Sequence, residues 1–202
     1  MKFNNISGVI LAGGSNSRFD GKVKANLLIN GRTIISIEAG ILRNIFSEII
    51  IVTNTPGEFN EFSGYKIVSD FFKLAGPLGG IHAAMKASSC DAVFVFAADM
   101  PFLNEKIIIR QAEYFQKNRC EVLVPSVNQK IEPLHAIYSI SVSKKIEEYL
   151  SAGTGNAVWK FINKTDVRFF EFDDAEETRR AFMNINTPED ILIVEEILRS
   201  RG

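Results

Sequence analysis

Two groups of residues in this chain have the chemistry to handle phosphate. The first is the stretch Gly8 to Lys24, GVILAGGSNSRFDGKVK, in which the adjacent Gly13 and Gly14 are followed by Arg18, Lys22 and Lys24. Glycine lets a backbone turn sharply and lets a ligand approach the main chain with no Cβ in the way. Arginine and lysine on the same loop supply positive charge where phosphate oxygens can sit. The second group is acidic and amide: Asn54, Asp70 and Asp99, each closing an apolar run. Such residues offer acceptors for a base or ribose and a ligand for a hard divalent cation. Mg²⁺ commonly takes one or two carboxylates and fills the remaining positions with substrate phosphates and water.

Neither group matches the common nucleotide motifs. There is no G-x-G-x-x-G, because Gly13 and Gly14 are adjacent and the next glycine is Gly21. There is no G-x-x-x-x-G-K-[ST] either, since Val23 follows Gly21-Lys22. By spacing alone the loop is equally a tight turn beside a solvated basic segment. Asp99 likewise has two readings, as a metal ligand or as the cap of the helix after Pro101.

The elements that must position these residues follow from periodicity. Val9-Ile10-Leu11 is short enough for a buried strand, and Glu48–Asn54, Tyr65–Asp70 and Ala92–Asp99 read as further strands. Thr33–Phe46 reads as a helix burying Ile34, Ile37, Ile41 and Ile45, and Leu27–Gly31 as a short strand or turn. Gly76–Gly80 (GPLGG) reads as a loop before a helix over Ile81–Ala87, and Glu105–Lys117 as another helix. Strands alternating with helices predict an α/β fold, a doubly wound and mostly parallel sheet with helices on both faces. Ligands bind outside the carboxyl ends of such strands. The Gly13-Gly14 loop, Asn54, Asp70 and Asp99 would then share one sheet edge.

After residue 120 the pattern is less regular and predicts a small antiparallel extension. Glu121–Ser126, Ile131–Ser139 and Val167–Phe172 read as strands, Val142–Leu150 and Asn156–Ile162 as helices. Thr187-Pro188-Glu189-Asp190 reads as an N-cap, a proline in the first turn and acids near the helix start. Ile191, Val194, Ile197 and Leu198 form the inner face of that last helix. We take residues 1–202 as one domain, with a nucleotide-binding part to residue 120 and an acceptor-side part from 121.

Composition excludes other classes. A net charge of −1 over 202 residues argues against a broad nucleic-acid-binding face. No run reaches the roughly 18 apolar residues of a membrane helix, and no signal-type segment opens the chain, so a cytoplasmic protein is expected. Cys90 and Cys120 lack motif neighbours and read as reduced thiols. His82 reads as packed or solvent-facing, and His135 as a partly buried, satisfied histidine. Trp159 and the phenylalanines read as core, and Glu176-Glu177 with Arg179-Arg180 as a solvated helix face.

Taken together these residues resemble a known family. Leu11-Ala12-Gly13-Gly14 with Arg18 and Lys24 is similar to the signature loop of the molybdenum cofactor guanylyltransferases, a branch of the nucleotidyltransferases. The resemblance continues through Gly76–Ile81, Asp99–Leu103 and Glu132–Ala136, and ends with Asn184–Asp190. It implies a Rossmann-like nucleotidyltransferase fold and transfer of GMP from GTP to molybdenum-bound molybdopterin, with release of pyrophosphate. It also implies that Leu11, Ala12, Gly13, Gly14 and Lys24 bind GTP, and that Asn54 and Asp70 contact the nucleotide. Asp99 would bind both the nucleotide and Mg²⁺. Lys24, Arg18 and Asp99 would carry catalysis, and the later motifs would face the pterin. Contact with molybdoenzyme maturation proteins is a further implication. The chain departs from the family pattern at Phe19-Asp20, Val23, Asn26 and Gly79, which leaves Lys22 as an alternative to Lys24. Two other readings remain: a nucleotidyltransferase using another base or acceptor (CTP, a sugar phosphate), and a nucleotide-binding domain without catalysis.

Overall fold

The computed structural model describes residues 2–13, 23–72, 74–153 and 155–200. Its frame is an eight-stranded sheet. Strands β1 (Ile6–Leu11), β4 (Ile49–Val52), β5 (Lys66–Val68), β6 (Ala92–Ala97), β7 (Val122–Val127), β9 (His135–Ser139) and β10 (Val167–Glu171) lie in the order β10-β7-β9-β6-β1-β4-β5. The short β8 (Lys130–Ile131) pairs with β7. β1 is parallel to both β4 and β6, and β4 is parallel to β5. The antiparallel component is β9, inserted between β6 and β7, together with β8 and a separate ribbon of β2 (Leu28–Ile29) and β3 (Arg32–Thr33).

Both faces of the sheet are covered, which is why the central strands are apolar at almost every position. Ile6, Ile10, Phe94 and Phe96 pack with α1 (Ile34–Ile45) and α3 (Glu105–Lys117). Val9, Val93 and Val95 pack on the other face with α2 (Gly76–Ala87), α4 (Ser143–Ser151) and α5 (Val158–Ile162). Gly8 makes one of these contacts possible: a Cβ there would lie 2.7 Å from Cδ2 of Phe46, the ring that caps the centre of β1. The last two helices, α6 (Glu176–Ala181) and α7 (Pro188–Arg199), lie along the chain's C-terminal part. α7 opens with the expected signal: the Thr187 side chain and the Asp190 carboxylate form a reciprocal capping box.

Several expectations are corrected. GPLGG is not a loop, because α2 starts at Gly76 with Pro77 in its first turn. Gly79 and Gly80 are tolerated in that helix because their flanks are crowded. A Cβ on Gly79 would meet Ala75 Cβ at 2.9 Å, and one on Gly80 would meet Leu11 Cδ2 at 3.1 Å. The Ile131–Ser139 strand is two strands broken at Glu132–Leu134, where the chain crosses from the β7–β8 hairpin to β9. That hairpin turns on Asn128 and Gln129, both at positive φ (48° and 64°), as a tight two-residue loop requires. The buried face of α1 is Ile34, Ile35, Glu38, Ala39, Leu42 and Ile45, with Ile37 and Ile41 only flanking it. Trp159 is 53% exposed rather than core, and so are Phe71 and Phe169. His135 is fully buried and unsatisfied: neither ring nitrogen has a partner among the described residues.

Candidate active site

The parallel strands deliver their polar residues to one edge, as the sequence reading expects. The chain after β1 leads through Ala12 and Gly13, the chain after β4 through Thr53 and Asn54, and β5 is followed by Asp70. β6 ends at Ala97 and is followed by Ala98 and Asp99. These strand ends surround a cavity of about 590 Å³, within the range of small-molecule sites. It is lined by Leu11, Ala12, Gly13, Lys24, Asn54, Asp70 and Asp99, and by Gly76, Pro77 and Gly80 at the start of α2. β1 is the strand from which the order runs outward in both directions, so the cavity sits at the topological switch point of the sheet. Gly14, Arg18 and Lys22 lie outside the described residues.

Each side chain is placed by its local structure. Where a Cβ would stand on Gly13 there is no atom of the described residues within 4 Å, so among them its lack of a side chain leaves cavity space open rather than relieving a clash. Asn54 and Asp70 are tied by a reciprocal pair of bonds. Asn54 Nδ2 donates to Asp70 Oδ2 at 3.4 Å, and the Asp70 amide donates to Asn54 Oδ1 at 3.3 Å. Burial pushes the Asp70 carboxyl above its ordinary range, against the lowering effect of the Asn54 bond. The first turn of α2 has no side-chain cap and contributes Gly76, Pro77 and Gly80 to the cavity wall. An uncapped helix start is a source of free backbone donors and positive potential for an anion.

Lys24 stands on a 3₁₀ turn, Lys24–Asn26. Its ammonium donates to Asp99 Oδ2 at 3.1 Å, to the Ile185 carbonyl at 2.8 Å and to Asn186 Oδ1 at 3.2 Å. The C-terminal Asn184–Asn186 motif is therefore drawn to the Asp99 corner, and the Ile185 amide donates to the Asp99 carbonyl at 2.9 Å. The capping alternative for Asp99 is overturned: Asn104 caps α3, its Oδ1 accepting from the amides of Lys106 and Ile107. Oδ1 of Asp99 is buried and has no hydrogen-bond partner among the described residues.

Of the two acidic neighbours of Asp99, sequence reasoning missed Glu38 and had Glu132 only as part of the Glu132–Ala136 motif, without its proximity to Asp99. Glu38, on α1, is 0% exposed; its Oε1 accepts from the Met100 amide at 3.1 Å. Burial, and then the negative charge of Asp99, hold its carboxyl well above the usual range, with the Met100 amide opposing them. A signal for it existed: a glutamate at i+4 from Ile34 and i−4 from Leu42 sits inside the apolar stripe. Glu132 precedes the Pro133-Leu134 crossing, where the Leu134 carbonyl accepts from Ala97 at 2.9 Å and so ties the crossing to the end of β6. Its carboxyl is raised by burial and by the charge of Asp99. No spacing rule points to it, since its proximity comes from β9 running antiparallel beside β6. His82 is 3% exposed and engages Glu147 at 2.9 Å between α2 and α4, away from the cavity lining.

Comparison with known proteins agrees with this geometry. Residues 8–168 match the model of the MobA-like NTP transferase domain. The chain belongs to the MobA-like NTP transferase family. It is thus a nucleotidyltransferase. A protein of Peptoclostridium acidaminophilum named "Probable molybdenum cofactor guanylyltransferase" is 38% identical, over 92% of this chain and 86% of its own. The molybdenum cofactor guanylyltransferase of Syntrophotalea carbinolica is 33% identical, over 94% and 90%. The crystal structure of molybdopterin-guanine dinucleotide biosynthesis protein A from Archaeoglobus fulgidus has the same fold. It superposes with a TM-score of 0.81 at 24% identity, over 96% of this chain and 99% of that one.

Proposed function

We propose that this nucleotidyltransferase acts in molybdenum cofactor biosynthesis, transferring GMP from GTP to the terminal phosphate of molybdenum-bound molybdopterin and releasing pyrophosphate. The observation that carries the reading is the convergence of Gly13, Lys24, Asn54, Asp70 and Asp99 on one cavity at the switch point of the sheet. The names of the full-length relatives support the choice of acceptor and base. Asn54 and Asp70 are assigned to the nucleoside, and Leu11–Gly13, extended by Gly14 and Arg18, to the phosphates.

The residues fit a divalent cation. Among the described residues no cluster of three or more His, Cys, Asp or Glu side chains can hold a metal unaided. The orphaned Oδ1 of Asp99 is a hard acceptor of the kind Mg²⁺ uses beside substrate phosphates. When bound there, Mg²⁺ would neutralise charge on the nucleotide phosphates.

The nucleophile is a phosphate oxygen already ionised at neutral pH, so no general base is required of the chain. Among the described residues that line the cavity there is no histidine. The new bond joins this oxygen to the α-phosphorus of GTP, and the bond from α-phosphorus to the bridging oxygen breaks, the electron pair leaving with pyrophosphate. The chain's task is alignment and charge: Lys24 and Arg18 on the phosphates, backbone amides along the glycine loop, and the start of α2 at the cavity wall.

The test is pyrophosphate release measured with GTP, ATP, CTP and UTP, each with and without molybdenum-molybdopterin. Release specific to GTP and dependent on the pterin is expected. Release with CTP, or with a sugar phosphate as acceptor, would replace the substrate assignment. Binding of GTP without release under any condition would overturn the catalytic one.

A further inference from the structure

Glu38 breaks the apolar pattern of α1 at a place where an aliphatic residue would be more stable. It is completely buried, and its Oε2 has no hydrogen-bond partner among the described residues. Burying a carboxyl with an unused oxygen costs free energy. What it makes in return, among the described residues, is one hydrogen bond, from the Met100 amide at 3.1 Å to Oε1.

That amide belongs to the same peptide unit as the Asp99 carbonyl, and the carbonyl is itself held by the Ile185 amide at 2.9 Å. The peptide plane on the C-terminal side of Asp99 is therefore pinned at both ends, its N–H by α1 and its C=O by the segment before α7. With this plane pinned on one side of Asp99 and the Ala98 amide held by the Leu11 carbonyl at 3.2 Å on the other, rotation about the Asp99 Cα–C bond is restrained, and with it the direction in which the side chain leaves the main chain. Ala98 and Met100, on either side, are buried and leave the corner little room to shift.

We propose that Glu38 is a positioning residue: it clamps the Asp99–Met100 peptide so that the Asp99 carboxylate keeps its aim at the reacting phosphates. The inference rests on Asp99 being the cation- and phosphate-facing carboxylate of the proposed reaction. Glu38 itself does not line the cavity.

The test compares Glu38→Met, Glu38→Ala and Glu38→Gln with Asp99→Asn in the full chain. It measures kcat and KM for GTP, Mn²⁺ binding in the presence of GTP by electron paramagnetic resonance, and the thermal midpoint. Methionine fills the space without an acceptor. It is expected to lower kcat about ten- to a hundredfold and weaken Mn²⁺ binding, with KM for GTP nearly unchanged. Its melting temperature should be equal to or above that of the parent. Alanine should give the same catalytic loss should methionine overpack the helix. Glutamine keeps a carbonyl oxygen for the Met100 amide and should restore most of the turnover. Near-parental kcat in Glu38→Met beside an inactive Asp99→Asn would overturn the inference alone. A parallel fall of stability and turnover in all three Glu38 variants would also overturn it. Full activity in Asp99→Asn would remove the reading on which it rests.

Discussion

The two ends of the same parallel strands treat charge in opposite ways. At the amino ends, Glu48 is enclosed by donors: Ser7 Oγ at 2.5 Å, Lys66 Nζ at 2.6 Å, and the amide and hydroxyl of Ser89 at 3.0 and 2.9 Å. Burial alone would raise its carboxyl, but the bonds from Lys66, Ser7 and Ser89 win and bring it down to about 2. At the carboxyl ends, Asp99 Oδ1 and Glu38 Oε2 are buried without hydrogen-bond partners among the described residues, and burial leaves Asp70 and Glu132 with raised carboxyls. One cluster has its acceptors occupied and holds strands together. The other keeps acceptors in reserve, and reserve of that kind is what a ligand-binding edge requires.

The sharpest way to break the comparison is to remove one residue from each end. Asp99→Ala should lower guanylyl transfer by a factor on the order of 10³ or more, the scale on which electrostatic groups at developing charge act. Its melting temperature should stay within a few degrees of the parent, because Oδ1 has no partner among the described residues and Lys24, which donates to Oδ2, keeps the Ile185 carbonyl and Asn186 Oδ1 as acceptors. A folded Asp99→Ala protein with near-normal turnover in Mg²⁺ would leave the reserve of acceptors without a purpose.

Glu48→Ala should do the reverse. It removes the acceptor of the Ser89 amide and one acceptor each from Lys66, which keeps the Ala87 carbonyl and Ser89 Oγ, and from Ser7, which keeps Ser88 Oγ; losing this charged hub costs roughly 2–3 kcal/mol. For a chain of this size that lowers the melting temperature by about 4–12 °C. Turnover per folded molecule should be unchanged. A fall in kcat/KM without a fall in stability would mean the two ends are coupled rather than separate.

Much of this division was legible in the sequence, and its limits have physical causes. The strands, α3 and the cap of α7 follow from local patterns, so their periodicity and turn chemistry reveal them. The shared edge of Asn54, Asp70 and Asp99 followed once the strands were read as parallel. Glu132 stood in a motif of the family resemblance, but its proximity to Asp99 was not legible, because antiparallel insertion of β9 between β6 and β7 is a property of the whole sheet. GPLGG was read as a loop because its glycines signal turns locally, whereas here they admit Ala75 and Leu11 against a helix. Glu38 was hidden by the opposite fault: charged residues inside an apolar stripe are easily assigned to its border. The Glu48 network was invisible for a related reason, as its partners are spread over residues 7 to 89.

Glycines at the two regions give a finer contrast. Gly79→Ala places a Cβ 2.9 Å from Ala75 Cβ and 3.2 Å from the Phe72 carbonyl, so the segment leading into α2 must move. Because Asp70 stands at its start, KM for GTP should rise about tenfold, equivalent to roughly 1.4 kcal/mol. Gly8→Ala drives a Cβ into the Phe46 ring in the core, and its expected cost of about 1–3 kcal/mol should appear as lost stability with KM unchanged. If both variants changed KM alike, the edge and the core would not be mechanically separable.

The smallest effect, the slope of stability with pH, separates an occupied acceptor from an unused one that no ligand can reach. His135 lies among Phe94, Phe96 and Phe182, and burial drives its ring from an ordinary 6.5 down to about 3. Between those values the unfolded chain holds a proton on His135 that the folded chain does not. Stability must therefore fall as pH drops from 6.5 towards 3, by up to roughly 1.4 kcal/mol per pH unit. Glu48, carried from 4.5 down to about 2, is ionised when folded and protonated when unfolded only within that lower window. Its contribution is complete above 4.5 and is lost as pH falls towards 2. Urea midpoints of the parent, His135→Leu and Glu48→Gln at pH 7, 5.5 and 4 should therefore diverge in order. His135→Leu should already flatten the slope between pH 7 and 5.5, whereas Glu48→Gln should alter it only near pH 4. An unchanged slope in His135→Leu would show that the histidine finds a proton-stabilising partner when folded, and that its unused nitrogens are not isolated from charge.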